Sequence, residues 1–208
     1  FVFLFKIGEA FLGRMSIIFY KEIGFTKGDI ALYSKGLGWI TTVVFTLLGG
    51  LFAIRSGVIK AMFVAGILMA STNLLFSALS WYVQTISLVS YEFNINLIFK
   101  TFYFETSNHE LFFGLSVVLD DMTAAFATVA FVAFISMLVD RTYTATQYAL
   151  LASIGTAGRT TLAASSGAMV DWLNGDWGIF FIITAVMVIP SLIFLYMIKD
   201  NIKLSEKI

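Results

Sequence analysis

The sequence predicts an all-α, polytopic membrane protein with six transmembrane helices. Of its 208 residues, 59% are hydrophobic and only 12% are charged, whereas soluble domains carry roughly 25% charged residues because their surface faces water. The mean hydropathy is +0.91. Apolar runs of roughly twenty residues, the length that crosses a bilayer, recur between short polar segments. These observations exclude a soluble enzyme, a nucleic-acid-binding protein and a disordered chain.

Six apolar runs are long enough to cross the membrane, and short polar segments separate them. The predicted spans are residues 1–20, 30–54, 61–80, 111–139, 145–169 and 178–198. A β-barrel is excluded, because its strands would be about ten residues long and would alternate between apolar and polar residues. Thr26 and Asp29 have the spacing of a capping box at the start of the second span. Pro190 predicts a kink in the last span.

The counts of charged residues, cysteine and histidine exclude further kinds of binding site. Lys and Arg number 13, as do Asp and Glu, so the chain has no net charge with which to hold nucleic acid. It has no cysteine and a single histidine, His109, which excludes a disulfide framework and a thiolate metal site. We therefore expect no metal and no cofactor. No nucleophile–base pair is recognisable, and we expect a protein that is not an enzyme.

Basic residues predict the orientation of the spans. The polar segments on one side hold Arg55, Lys60, Arg141, Lys199, Lys203 and Lys207, and those on the other side hold Lys21, Lys27 and Lys100. The positive-inside rule therefore places the 55–60 turn and the C-terminus in the cytoplasm. The segment 81–110 mixes aromatic and polar residues, and we predict an outer loop at the depth of the lipid headgroups.

The chain begins at Phe1, inside an apolar stretch that already carries Lys6, Glu9 and Arg14. This pattern fits neither a signal peptide nor a transit peptide. We expect the first helix to have lost its beginning, and the chain to be a fragment of a longer protein.

Charges inside the predicted spans indicate a polar interior, because a charge that faces lipid is costly. These charged residues are Lys6, Glu9, Arg14, Lys35, Asp120, Asp121 and Arg159. At about 1.5 Å per residue, Glu9, Asp120 and Arg159 lie roughly 16, 14 and 15 Å below the outer ends of their helices. That depth is near the midplane of a ~30 Å core, where transporters place substrate and ion sites. A structural ion pair, such as Arg159 with Asp121, is the alternative.

Two further patterns concern the predicted site. Asp120 and Asp121 are adjacent, and adjacent helical residues point about 100° apart, so one carboxylate is expected to face the cavity and the other a neighbouring helix. Tyr143, Gln147 and Tyr148 begin the fifth span. Their rings would suit stacking on a sugar, although anchoring at the interface or core packing explains them equally well.

Several of these segments together resemble the AmpG-type muropeptide permeases of the major facilitator superfamily. FKIGEAF at 5–11 resembles the opening of the family's seventh helix, and GFTKGDIALYSKGLG at 24–38 is similar to the segment that follows it. The most specific match is residues 131–159, which contain ATQYALL and end in Gly-Arg. Several positions depart from the pattern: Ala124, Ala125 and Ala127 replace family glycines, and the 81–110 loop is longer than the family's. Ile54 stands where the superfamily's cytoplasmic signature has Asp, and Asp121 stands where the family usually has Asn.

The resemblance covers nearly the whole chain and matches the C-terminal half of that family. It implies that the six helices form one half of the superfamily fold, with an N-terminal six-helix half missing. It also implies a symporter of the inner membrane that imports anhydro-muramyl peptides with protons, for peptidoglycan recycling. Two alternatives stay open: a transporter of another organic anion such as an acyl-CoA, and a non-transporting six-span protein.

The candidate residues of the substrate and proton pathway combine the buried charges with one amide from the matched motif. They are Lys6, Glu9, Lys35, Asp120, Asp121, Gln147 and Arg159. The expected partners are the muropeptide, protons, the surrounding lipid bilayer and the missing half, with no nucleic acid.

The predicted orientation can be tested by cysteine labelling, because the chain has no native cysteine. A cysteine at Ser56 should be shielded from a membrane-impermeant thiol reagent added outside the cell, whereas one at Ser107 should react. The measurement is the extent of labelling in intact cells and after lysis. The reverse pattern would overturn the orientation.

Overall fold

The computed structural model describes the backbone of residues 2–97, 100–139 and 144–205, most of it helical. In chain order the elements are α1 (Ile7–Glu22), α2 (Lys27–Ile30), a π-helical segment (Ala31–Leu37), α3 (Gly38–Ser56), α4 (Val58–Thr85), β1 (Ser90–Leu97), β2 (Lys100–Ser107), α5 (Asn108–Leu138), α6 (Thr144–Ala163), α7 (Ser166–Trp172), α8 (Trp177–Val186) and α9 (Ile189–Ser205).

Four helices in the described part of the chain are long and apolar enough to cross a bilayer. They cover Lys27–Ser56, Val58–Thr85, Asn108–Leu138 and Trp177–Lys199. The chain is therefore a multi-pass helical membrane protein, as its composition predicts. The helices α1 and α6 lie beside these four and contain Glu9 and Arg159. The number of six spans stays a prediction.

An aromatic cluster holds one end of the helices together. The buried ring of Phe19 on α1 lies 4.8 Å from Phe181 on α8 and 6.3 Å from Phe76 on α4, centroid to centroid. The indole of Trp177 packs 5.3 Å from Phe19, and its N–H donates to the Glu22 carboxylate at 2.7 Å. Because that N–H has a partner, the indole is buried without leaving a polar group unsatisfied.

The second span begins with the predicted capping box, which the structure confirms. The Thr26 hydroxyl accepts from the Asp29 N–H at 3.3 Å, and the Asp29 carboxylate accepts from the Thr26 N–H at 2.9 Å. After one α-helical turn the backbone widens into the π-helical segment, which carries Lys35. Single π-type turns inside α-helices are rare and are frequent at functional sites. Nothing in the apolar pattern indicated this one.

The helices end where special backbone residues require it. The break expected after the second span is present, because α3 ends at Ser56 and Gly57 adopts a φ of 87°, which a side chain disfavours. In the last span, α8 ends at Val186 and α9 starts at Ile189. Pro190 accounts for this break, because it has no N–H and its ring clashes with the carbonyl four residues before it, that of Val186.

The predicted fifth span is not one continuous helix. It is divided into α6 and α7 at Ala164 and Ser165. The hydroxyls of Ser165 and Ser166 donate back to the carbonyls of Leu162 and Ala163 at 2.7 and 2.6 Å. Such bonds compete with the regular helical ladder. The predicted break at 140–142, Tyr143 and Lys207 lie outside the described residues.

The segment 81–110 is more ordered than the loop that the sequence predicts. The helix α4 continues to Thr85, α5 begins at Asn108, and β1 and β2 form an antiparallel hairpin between them that pairs Ser90 with Ser107. Alternating residues with aromatic and β-branched side chains favour strands over an irregular loop. The Asn108 side chain accepts from Val89 N–H at 2.9 Å and donates to the Tyr82 hydroxyl at 3.2 Å, which ties the hairpin to both helices.

This arrangement changes the labelling experiment. Ser107 is only 5% exposed, and its hydroxyl caps α5 by accepting from the Glu110 N–H at 3.1 Å. A cysteine there would lose the cap and be shielded from any reagent. Ser87 is exposed beside the hairpin, and it is the better position at which to probe this side of the membrane.

Two glycines of α1 provide a matched test of the packing. A Cβ added at Gly8 would lie 2.8 Å from Val188 Cγ2 and 2.9 Å from the Thr184 carbonyl oxygen, whereas one at Gly13 would meet nothing within 4 Å. Gly8→Ala should therefore destabilise the protein by about 1–3 kcal/mol, and Gly13→Ala should cause no loss. Thermal unfolding of the purified protein in detergent measures both. Equal melting temperatures for the two variants would contradict the close approach of α1 to α8 and to the break that follows it.

Candidate functional site

A cavity of about 400 Å³ opens between α1, α5 and α6. Its charged lining consists of Glu9 and Arg14 from α1, Asp120 from α5 and Arg159 from α6. Small side chains such as Ala124 and Thr160 complete the wall and leave the space open. The structure thus brings together the three residues that the sequence placed at one depth on three helices. Two carboxylates and two guanidinium groups therefore line one cavity.

Lys6 holds Glu9 in place at one end of this cavity. The Lys6 ammonium lies 3.0 Å from each oxygen of the Glu9 carboxylate and donates to the Thr128 hydroxyl at 2.7 Å. The Thr128 hydroxyl in turn donates to the Ala124 carbonyl at 2.7 Å. Lys6 is only 8% exposed. A buried ammonium is tolerated when it is paired and hydrogen-bonded, so this network ties the start of α1 to α5.

Arg159 links the cavity to a second, smaller one. The second cavity, of about 160 Å³, is lined by Lys6, Thr128, Tyr148 and Arg159 among others. Arg159 is half-buried and makes no ion pair with any residue that the structure describes. The ion pair with Asp121, the structural alternative for this residue, is not present. A planar guanidinium with its donors unused suits a carboxylate or another planar anion.

Asp120 and Asp121 face different surroundings, as their 100° offset on a helix requires. Asp120 lines the larger cavity, with Glu9 and the Thr72 hydroxyl within electrostatic reach. Asp121 lies against α3: a Cβ added at Gly38 would be 2.6 Å from its Oδ2. That oxygen is buried without a hydrogen-bond donor, and Lys35 of the π-helical segment is its nearby cation.

Like Asp121, the candidate residues Lys35 and Gln147 line neither cavity. Lys35 is exposed on the π-helical segment, on the side of α5 that carries Asp121. Gln147 is half-buried near the start of α6 and lines neither cavity, although its neighbour Tyr148 lines the smaller one. Gln147 is about 18 Å along the helix from Arg159 at 1.5 Å per residue.

Sequence reasoning missed two residues of the site. Thr128 accepts the Lys6 hydrogen bond, and no sequence pattern marks this hydroxyl. Arg14 is a charge within the first span that is not among the candidate site residues. It lines the larger cavity.

Apolar helices around a charged, partly enclosed cavity define an integral membrane protein with a polar interior. The chain is similar to proteins of the AmpG type over almost its whole length. It is 29% identical over 201 residues to "Putative transporter AmpG 4" of Rickettsia conorii, which covers 97% of the chain. It is 26% identical over 203 residues to the "Anhydromuropeptide permease" of Escherichia coli K12, again over 97% of the chain.

A third relative, "Putative transporter AmpG 1" of Rickettsia prowazekii, is 26% identical over 202 residues. No family model and no solved structure matches the chain. The chain spans 42%, 36% and 40% of the lengths of these three relatives. The resemblance to AmpG-type permeases is confirmed, and the relatives are named as transporters or permeases rather than enzymes.

The ion pair of Lys6 and Glu9 can be tested by a double-mutant cycle. Lys6→Met leaves the Glu9 carboxylate without its cation and should destabilise the protein by about 3 kcal/mol, as breaking a buried pair does. Adding Glu9→Gln removes the stranded charge and should recover at least half of that loss. Lys21→Met, at an exposed lysine of the same helix, is the control. Unfolding in detergent is the measurement, and simple additivity would show that the pair contributes nothing.

Proposed function

We propose that the chain forms the C-terminal six-helix half of a proton-coupled transporter of the major facilitator type. The complete transporter would import anhydro-muramyl peptides across the bacterial inner membrane, with its C-terminus in the cytoplasm. One observation carries the proposal: in a chain related to AmpG-type permeases, Glu9, Asp120 and Arg159 converge on one cavity from three helices. Charges at such depth are costly and mark substrate and ion pathways.

The cavities offer groups that suit a sugar–peptide substrate. The substrate class carries carboxylates, and the guanidinium of Arg159 borders both cavities and forms no ion pair with any described residue. Tyr148 in the smaller cavity supplies an aromatic face and a hydroxyl, which suits a sugar ring. We assign substrate binding to Arg159, with Tyr148 and Arg14 beside it.

The two carboxylates of the larger cavity have different roles in this proposal. Glu9 is held by Lys6 at 3.0 Å, which fixes its position. Asp120 forms no ion pair with any described residue and opens on the same cavity as Arg159. We therefore assign proton carriage to Asp120 first and to Glu9 second. Substrate bound at Arg159 would share the cavity with Asp120. Substrate binding and proton transfer could then influence each other, which coupled transport requires.

Alternating access requires a second bundle against which this one can rock. An apolar face of α3 is available for it: Trp39, Leu47 and Ile54 are 65%, 70% and 83% exposed. Residues 1–208 expressed alone are therefore expected to insert into the membrane without transporting. Uptake by vesicles that contain only this chain, in the absence of a homodimer, would refute the half-transporter assignment.

Coupling is tested in the complete transporter by a pair of adjacent substitutions. Asp120→Asn should abolish muropeptide accumulation driven by a pH gradient, because the group that exchanges the proton is gone. Exchange of labelled substrate between two equal pools should survive. Asp121→Asn is the matched control, because that side chain faces Gly38 rather than the cavity. Uptake into right-side-out vesicles measures both modes.

Glu9→Gln and Arg159→Lys complete the series. Glu9→Gln should impair gradient-driven uptake, and Arg159→Lys should raise the apparent KM, because a point charge replaces a planar fork. Protein levels in the membrane are measured alongside. Loss of folded protein in all of these variants would favour a purely structural network. Full gradient-driven uptake in both carboxylate variants would show that the proton travels elsewhere.

A further inference from the structure

A second large cavity lies on the opposite side of α5 from the charged one. It is a groove of about 480 Å³ between α3, α4 and α5. Its floor is apolar and includes Phe45, Leu48, Leu119 and Phe126. On α5 the groove and the charged cavity are lined by interleaved positions, with Leu119 facing one and Asp120 the other. The groove is therefore separate from the proposed substrate pathway.

The groove has the length of one lipid chain in one leaflet. Along α3 it runs from Phe45 to Arg55, a rise of about 15 Å at 1.5 Å per residue. This equals about half of the ~30 Å hydrocarbon core. The groove starts at the turn where α3 ends and reaches the middle of the membrane.

Its charged lining is confined to that turn. Arg55 and Ser56 line the end of the groove, and neither side chain makes a hydrogen bond or an ion pair within the described part of the chain. Exposed Lys60 follows on the first turn of α4, and no side chain caps the N-terminus of that helix at Gly57. Segment 55–60 contains no acidic residue. The turn thus offers uncompensated positive charge and unused donors.

We propose that this groove binds an anionic phospholipid, with one acyl chain between α3 and α5 and the phosphate at Arg55 and Ser56. A long apolar lining with cations at only one end matches an amphiphile with a single charged head. Basic pockets between transmembrane helices bind anionic headgroups in this way. The acyl chain distinguishes this ligand from free phosphate, which would use the turn alone.

Native mass spectrometry of the purified protein in an uncharged detergent tests the site. The probes are phosphatidylglycerol and phosphatidylcholine with the same acyl chains, supplied in equal amounts. The wild type should carry phosphatidylglycerol in about fivefold preference, the effect of one basic residue near a charged headgroup. Arg55→Gln should bring the ratio close to one. Lys27→Gln removes an equally exposed charge at the other end of the same helical unit and should keep the preference.

A second pair of variants tests the acyl chain. Leu48→Trp fills the groove and should reduce the binding of both lipids, whereas Leu47→Trp changes an adjacent, 70% exposed residue outside the groove and should not. Inorganic phosphate in excess should leave bound phosphatidylglycerol in place. Equal binding of the two lipids to the wild type would overturn the proposal. So would identical behaviour of Arg55→Gln and Lys27→Gln, or displacement of the lipid by phosphate.

Discussion

The cost of placing charge in hydrocarbon controls how this bundle is built. Lys6 enters the interior only with Glu9 and Thr128 beside it, at 3.0 and 2.7 Å, and this network fixes α1 against α5. Once α1 is held there, Glu9 faces the space into which Asp120 and Arg159 also project. The small residues of α6 allow the approach, since a Cβ added at Gly158 would lie 2.7 Å from the Phe3 carbonyl oxygen. The cavity therefore depends on the ion pair of Lys6 and Glu9 and on Gly158, which allows α6 to approach the start of the chain.

The helix α5 gives the molecule two chemically different sides. Asp120 and Ala124 face the charged cavity, while Leu119 and Phe126 line the apolar groove. Asp121 lines neither of these spaces; it lies against α3, with Lys35 as its nearby cation. One helix therefore presents a charged cavity to one neighbour and an apolar groove to another. The helix period of 3.6 residues is sufficient to separate the two sides.

The sequence predicted those features that depend on local chemistry or on the cost of buried charge. The capping box at Thr26, the break at Gly57, the interruption before Pro190 and the common cavity of Glu9 and Arg159 belong to this group. The hairpin at 90–107 and the break at Ala164 were not predicted, because short polar segments can satisfy their backbone in several ways. The π-helical segment was also not predicted, because its residues read as an ordinary apolar helix. Gly38, which directly follows this segment, packs against Asp121, a contact between distant parts of the chain.

The π-helical segment also determines how the start of the second span is rotated, about the helix axis, relative to α3. A π turn holds about one residue more than an α turn, and each residue of a helix adds about 100° of rotation. The extra residue therefore acts as a rotational offset between the capped end at Thr26 and the membrane-embedded part of α3. Lys35 lies within this offset, so its direction relative to Asp121 depends on the register of seven residues rather than on any side-chain contact of its own. If that segment returned to α-helical winding, the capped end at Thr26 would rotate about the helix axis, while the apolar face of α3 would stay in place.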